Sequence, residues 1–490
     1  MAKRTAVIDL GSNSVRMMIY EKSSRFAFSI LHQTKSRVRI SEGTFNNKAY
    51  LQDQPMQRTL LALGEFMTII KSYRVKKILA VATSAVRDAP NGKKFVNLVK
   101  KELGLSIKII DGQKEAYLGG IACANLLSIK KSLMVDIGGG SSEFALIENK
   151  KVIQTFSIPL GTVRLKELFF DKNNNKNKQI LIEQELAKLP KEFYNIPLIG
   201  VGGTIRALSK QLKKQENYPL EKIHGFTYNA KQMLDFIEKI LITKNEELKK
   251  FDFKKDRLDV IQPGSLIFLN IIKKLNAPEI ISSGVGIREG LYLSDLLRTS
   301  RDQFPANFNI SLRNTLDKFD TLPHETKKLN AIALNLFDTL KDRLKIDEAH
   351  RLELSFASKL FNVGKYIHFY SKERQSIYLA LNTIEYGLTH TQIATIVSIL
   401  KLHHKHENHT KFFDRFRVIL PNIDILKKLS YILKLAEALS CVYYEKNTFT
   451  LNINNNILYI HLPKKNYILA KQKLEKIDCK LGEIKLQIVS

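Results

Sequence analysis

A chain of 490 residues, 44% hydrophobic and 26% charged, is too long for one ordinary core and too apolar to be disordered, so two to four globular domains are expected. Its formal charge of +30 implies a surface that attracts a polyanion such as nucleic acid, acidic membrane or polyphosphate, although lysine and asparagine that merely decorate a surface give the same number. Three scattered cysteines (Cys123, Cys441, Cys479) argue against a disulfide framework, no apolar run approaches the roughly 20 residues of a membrane helix, and the N-terminus lacks a signal-like core; the expectation is a cytoplasmic protein.

Along the chain, AVIDLG at 6–11 reads as a strand running into glycine, and VRMMIYE and FAFSILHQ follow as antiparallel strands. A helix over 55–73 leads to a strand at 77–82, a helix over 92–103 to a strand at 106–110, and a helix over 113–127 closes the series. Then the pattern restarts. Leu133-Met-Val-Asp-Ile-Gly-Gly-Gly-Ser-Ser-Glu143 repeats the logic of Val7-Ile-Asp-Leu-Gly-Ser-Asn-Ser14: Asp, Gly two residues later and Ser five residues later, 127 positions apart. Such a repeat implies two related α/β domains, 1–130 and 131–300, with a ligand cleft between them. Helical periodicity dominates 301–445. A hairpin across asparagines at 451–461, then a helix and a last strand, make 446–490 a small α+β unit.

The chemistry concentrates in the repeated device. Glycine lets the backbone turn tightly and bring its amides close to an anion, and Ser12, Asn13, Ser14 and Ser141 add side-chain donors beside Gly11, Gly138, Gly139 and Gly140. Asp9 and Asp136 end neighbouring strands, and two carboxylates facing phosphates repel them unless a cation intervenes. Magnesium is the natural choice. Gly200-Val-Gly-Gly-Thr204 supplies a third loop, with Gly203 and Thr204 at a helix start; Ser282-Ser-Gly-Val-Gly-Ile-Arg-Glu-Gly290 is a fourth. Each of these two reads equally well as a plain strand–helix turn. Arg87, just past a strand end, is a candidate phosphate clamp or an ordinary surface ion pair. Glu115, in the first turn of a helix, is a dipole-compensating charge or the base for an attacking water.

VIDLGSNSVRM, ATSAVRDAPNG, DGQKEA, MVDIGGGSSEF, GVGGTIRAL and SSGVGIREG, in that order over residues 3–296, resemble the motifs of the exopolyphosphatase/guanosine pentaphosphate phosphatase family. The resemblance implies two actin-like, ribonuclease-H-like α/β domains of the ATPase superfamily, magnesium-dependent phosphoanhydride hydrolysis and a homodimer. It places Glu115 on the catalytic glutamate, Asp9 to Ser14 and Asp136, Gly138 and Glu143 on the two phosphate/metal motifs, and Arg87 on the phosphate-binding arginine. Lys114 departs from relatives that carry a second acid there. The helical region resembles an HD-type phosphohydrolase domain that has lost its metal ligands, with Phe361 and Asn362 where His and Asp would stand and Ala436-Glu-Ala-Leu439 where an aspartate would be usual. The cluster His403, His404, His406 and His409 reads as a solvated helix end.

The expected function is therefore release of terminal phosphate from inorganic polyphosphate or guanosine pentaphosphate, with Glu115 as base and magnesium held by Asp9, Asp136 and Glu143. An actin-like ATPase or small-molecule kinase shares the paired aspartates and is the first rival. A basic nucleic-acid-binding protein is the second; no nucleic-acid-reading motif is recognisable, and neither specific nucleic acid nor membrane is an expected partner.

Overall fold

The computed structural model describes residues 3–44, 49–172, 176–404, 410–441, 449–462, 468–478 and 480–489. The chain divides into two compact units, Met1–Ile310 and Ser311–Ser490.

In the first unit the strands β1 (Arg4–Leu10), β2 (Val15–Lys22), β3 (Phe28–Ser36), β4 (Lys77–Ala82) and β5 (Lys108–Ile109) form a sheet of order β3-β2-β1-β4-β5. β1 pairs antiparallel with β2 and parallel with β4, which places the C-terminal ends of β1 and β4 side by side. Helix Asp53–Ser72 covers this sheet because Thr59, Leu63, Phe66 and Ile70 recur at helical spacing and bury one stripe. The second sheet has the order β10-β11-β9-β6-β7-β8, built from β6 (Lys131–Ile137), β7 (Ser142–Glu148), β8 (Lys151–Ile158), β9 (Leu198–Val201), β10 (Thr227–Asn229) and β11 (Glu279–Ser282). Apart from the extra edge strand β10, its order and directions repeat the first sheet. The repeat extends to an irregularity: the β2–β3 register slips at Ile19/Tyr20 and the β7–β8 register slips at Leu146/Ile147, the same 127-position offset as Asp9 and Asp136. These are two ribonuclease-H-like lobes of an actin-like fold.

Two helices lie where the lobes meet. Helix Gly112–Leu126 is buried almost all round, from Ala116 and Leu118 through Leu126, and its small residues let it approach closely. Gly119 and Gly120 leave no room for a Cβ against Met134, Ala145 and Val152. Helix Ile287–Leu296 crosses it at Gly290, where an added Cβ would stand 1.8 Å from the Leu118 carbonyl oxygen. Tyr292 of the latter helix stacks on Tyr20 of β2 with ring centroids 4.2 Å apart, so this helix is fastened to the first lobe as well as the second.

The second unit is mostly helical. Helices Pro323–Leu344, His350–Leu360, His390–His403 and Ile423–Ser440 bury one core that continues through Leu458, Ile460, Leu474 and Ile484. Those last residues belong to a sheet of order β12-β13-β15-β14 and its helix Ile468–Leu474, with β12 (Thr450–Asn454), β13 (Ile457–His461), β14 (Lys480–Leu481) and β15 (Ile484–Val489). The β12–β13 hairpin turns through Asn455 and Asn456, both at positive φ, as a two-residue turn matched to strand twist requires. Phe361 is buried against the His403 ring, and Glu437 Oε2 lies 3.0 Å from His403 Nε2. His406 and His409 lie outside the described residues, as does Cys479. Among the described residues no helix is long and apolar enough to cross a membrane.

Candidate active site

The two strand–turn–strand devices end at one cleft. In each, the glycine after the aspartate closes a tight turn: Gly11 N–H donates to Ser14 O at 3.2 Å and Gly138 N–H to Ser141 O at 2.9 Å. The cross-strand partner of Asp9 is Arg16 and that of Asp136 is Glu143, so the duplication put a cation and an anion at equivalent places. The loops touch across the cleft. A Cβ on Gly139 would fall 2.6 Å from the Ser12 Cβ, and one on Gly140 2.8 Å from the Ser84 hydroxyl, so only glycine permits this approach. Ser12 and Ser84 hydroxyls are themselves 3.1 Å apart. From the second lobe, Gly202 at φ +94° turns β9 into helix Gly203–Gln215, whose first residues Gly203 and Thr204 also line the cleft.

Four carboxylates converge here. Asp9, Asp136, Glu115 and Glu143 line one cleft wall to wall. Burial pushes Asp9 up, against Arg16 and Arg288, and raises Asp136 to about 6 against Arg206, with Asp9 adding to the rise. Burial also raises Glu143, which Ser141 and Ser157 partly offset by hydrogen bonds; Ser157 Oγ lies 3.2 Å from its Oε1. Glu115 is driven well above the usual carboxylate range by burial and then by Glu143, with Arg87 opposing. Helix Gly112–Leu126 begins at Asp111, whose side chain caps the Lys114 amide at 2.7 Å, and this fixes Glu115 in the first turn, facing inward.

Four arginines share the cleft with these acids. Arg16, Arg206, Arg257 and Arg288 line it. Burial lowers Arg16 to about 10, with Arg288 and Arg206 adding to the effect; burial lowers Arg206 and Arg257 as well. Arg206 is pinned by the carbonyls of Gly202 and Gly284 at 3.0 and 2.9 Å. Arg288 is 6% exposed, and its buried Nη1 has no hydrogen-bond partner among the described residues. Mutually repelling guanidinium groups with an unspent donor are what an anion with several oxygens would satisfy.

Residues 18–299 match the Ppx/GppA phosphatase family, and residues 309–482 match its domain III. The chain belongs to the Ppx/GppA phosphatase family. A bifunctional 3-dehydroquinate synthase/phosphatase of Fusobacterium nucleatum is 33% identical over 299 residues, 57% of this chain; the chain spans 44% of that curated relative's length. The crystal structure of the Aquifex aeolicus Ppx/GppA family member is 29% identical, with a TM-score of 0.52, over 61% of this chain and 99% of that one. An exopolyphosphatase from Cytophaga hutchinsonii, 24% identical over 60% of this chain and 97% of its own with a TM-score of 0.53, shares the fold.

In this Ppx/GppA family member, the residues singled out in the sequence fall into two groups. Asp9, Gly11, Ser12, Asn13, Ser14, Glu115, Asp136, Gly138, Gly139, Glu143, Gly203 and Thr204 line the cleft. Gly140 and Ser141 stand behind it, Gly140 against Ser84 and Ser141 on Glu143. Arg87 stands behind as well: its Nη1 donates to Glu115 Oε2 at 3.1 Å and to Ile110 O at 3.4 Å. Arg16, Arg206, Arg257 and Arg288 escape a reading of the sequence. Arg16, Arg206 and Arg288 sit inside the glycine motifs, five residues past Gly11, three past Gly203 and two past Gly286, and a guanidinium shortly after such a glycine was the available signal; Arg257 carries none.

Magnesium fits the donor set in one particular way. Among the described residues no three or more His, Cys, Asp or Glu are grouped to hold an ion by themselves. Asp9 and Asp136 are hard oxygen donors, both destabilised as anions by burial, with Asp9 adding to the effect at Asp136 and Glu289 at Asp9, a burden that a bound cation would relieve. That is the environment of an ion held by one or two carboxylates and completed by water and substrate phosphate oxygens.

Proposed function

We propose that the protein hydrolyses the terminal phosphoanhydride bond of inorganic polyphosphate or guanosine pentaphosphate. One observation carries the reading: a buried carboxylate, Glu115, shares a cleft with two glycine–serine anion loops and four arginines. A hydroxyl-bearing acceptor is not required by such a site, and water is the simplest nucleophile. Glu115 takes a proton from that water as its oxygen attacks the terminal phosphorus, and the bond to the leaving phosphate oxygen breaks on the opposite side. Its raised proton affinity makes it an effective base, and Arg87 orients it and opposes part of that rise. The loop amides with Ser12, Ser14 and Thr204 bind the phosphoryl oxygens, and the arginines meet the negative charge of the leaving chain. A magnesium ion bound at Asp9 and Asp136, with Glu143 nearby, would neutralise phosphate charge that these carboxylates would otherwise repel.

The test is phosphate release from long-chain polyphosphate and from guanosine pentaphosphate, side by side with magnesium, for the wild type and Glu115→Gln. Turnover of either substrate that is lost in the variant supports the reading. No release from either, or phosphate transferred to an added hydroxyl acceptor at the expense of water, overturns it.

A further inference from the structure

Asp88 follows the short helix Ser84–Arg87 at the end of β4, in the first lobe, and takes no part in the chemistry described above. Its carboxylate binds two arginines at once. Oδ1 accepts from Arg87 Nε at 3.2 Å, and Oδ2 accepts from Arg164 Nη2 at 2.7 Å. Arg87 is the residue whose other arm, Nη1, holds Glu115. Arg164 belongs to the second lobe: it lies on the turn Thr162–Leu165, whose amides at Thr162 and Val163 are bound by the Gly138 and Gly139 carbonyls at 2.9 and 2.8 Å. Its Nε donates to Gly140 O at 2.9 Å, so the phosphate loop and this arginine move together.

We propose that Asp88 is a positioning residue for Glu115, and that its carboxylate ties the approach of the two lobes to the orientation of that base. The inference rests on the assignment of Glu115 as base. A guanidinium is a planar fork, so fixing its Nε edge fixes the direction of its Nη1. With Asp88 holding Nε, Arg87 can meet Glu115 in one orientation only. Arg164 reaches Asp88 only when the Gly138–Gly140 loop is seated against Ser12 and Ser84, which is also when the two anion loops face one phosphate. Opening the lobes removes Arg164, leaves Asp88 free to turn to solvent and releases Arg87 from its fixed direction. The base is thus set where the substrate loops are assembled and loosened where they are not. Asp88 is partly exposed, its side chain at 36%, and without its charge Arg87 still meets Glu115 and Arg164 still meets Gly140 O, so replacing it with the isosteric Asn spares the fold.

The experiment measures kcat and KM of the full-length protein with magnesium, on whichever of long-chain polyphosphate and guanosine pentaphosphate turns over faster. The variants are Asp88→Asn, Arg164→Gln, both together, Glu115→Gln, and Glu115→Gln with Asp88→Asn. Misplacement of a catalytic group by a fraction of an ångström to an ångström predicts a kcat loss of about 10- to 100-fold for Asp88→Asn. KM should change by less than about threefold, since the phosphate-binding groups are untouched. Arg164→Gln should lower kcat similarly, and the double variant should be no worse than the worse single one, because both act through one contact. On the Glu115→Gln background Asp88→Asn should do nothing further, an outcome that general loosening of the structure would not give. Unchanged kcat in Asp88→Asn, a loss confined to KM, fully additive losses with Arg164→Gln, or a further loss on the Glu115→Gln background each overturns the proposal. Full activity of Glu115→Gln itself overturns the assignment of the base instead, so the two failures are distinguishable.

Discussion

At Glu115 the protein holds a carboxylate where burial and Glu143 oppose its charge and Arg87 supports it. Glu115→Gln keeps the shape and the Arg87 contact but cannot take a proton, so turnover should fall by about 10²–10⁴-fold while substrate binding persists. Single-turnover phosphate release with a separate binding isotherm checks this; near-wild-type turnover would leave Glu115 a helix-terminal charge. Glu143 makes the opposite kind of prediction. Its proton affinity in the folded state is raised by burial first and by Asp136, so its ionised form destabilises the fold. A raised folded-state value means that stability is fully present at low pH and is lost as pH climbs through that value. With a chelator present, Glu143→Gln should therefore melt about 2–4 °C above the wild type at neutral pH, the gap widening as pH rises above the ordinary carboxylate range. A variant that melts lower under chelation would show that Glu143 is stabilised by its serine partners. The aspartates and glycines of this site were legible in the sequence because a strand ending in Asp-x-Gly repeats at a fixed offset. The arginines were not: Arg16 alternates along a strand like any outward cation, and only the fold turns it inward beside Asp9.

Among elements, helix Gly112–Leu126 matters most, because it carries Glu115 and is fixed by close crossing with helix Ile287–Leu296. The contact at Gly290 is with backbone: an added methyl would lie 1.8 Å from Leu118 O, and no side chain can rotate to relieve it. Gly290→Ala should force the helices apart and cost about 3 kcal/mol, at the upper end for overpacking, together with a fall in kcat as Glu115 is displaced. Gly104→Ala is the control, since it has positive φ, at +65°, but open space around it, so it should cost about 1 kcal/mol and leave kcat alone. Urea denaturation of both, with kcat beside it, decides the matter; equal costs would mean that the crossing is soft. The doubled architecture was legible from periodicity, and so was the asparagine hairpin at 455–456. The helix crossing was not, because a glycine in an amphipathic run looks the same whether it faces solvent or another helix's carbonyl.

At the scale of the molecule, the surplus of positive charge is shared between the two units nearly in proportion to their lengths. Residues 311–490 contain 28 of the 78 basic and 18 of the 48 acidic residues, which leaves about two thirds of the +30 in residues 1–310, the unit that holds the cleft. If the second unit extends a path for a polyanion, it adds contacts only to substrates long enough to leave the cleft. Each phosphate neutralised by Lys or Arg releases counterions, so affinity for long polyphosphate should fall more steeply with salt in the full chain than in a 1–310 fragment. A short chain or a nucleotide fills the cleft alone and should show the same slope in both. Residues 1–310 retain Asp9, Asp136, Glu115, Arg87 and the four cleft arginines, so a soluble fragment should keep turnover on short substrates. The measurement is affinity for long and short polyphosphate against ionic strength, in both proteins, with phosphate release as the check that the fragment is folded. Because the smaller share of the charge lies in the second unit, the change in slope should be modest, about one to three phosphates' worth. A fragment that turns over substrate with unchanged length preference and unchanged salt slope would place the whole polyanion path in the first unit, and the helical unit would then have to act on something other than substrate.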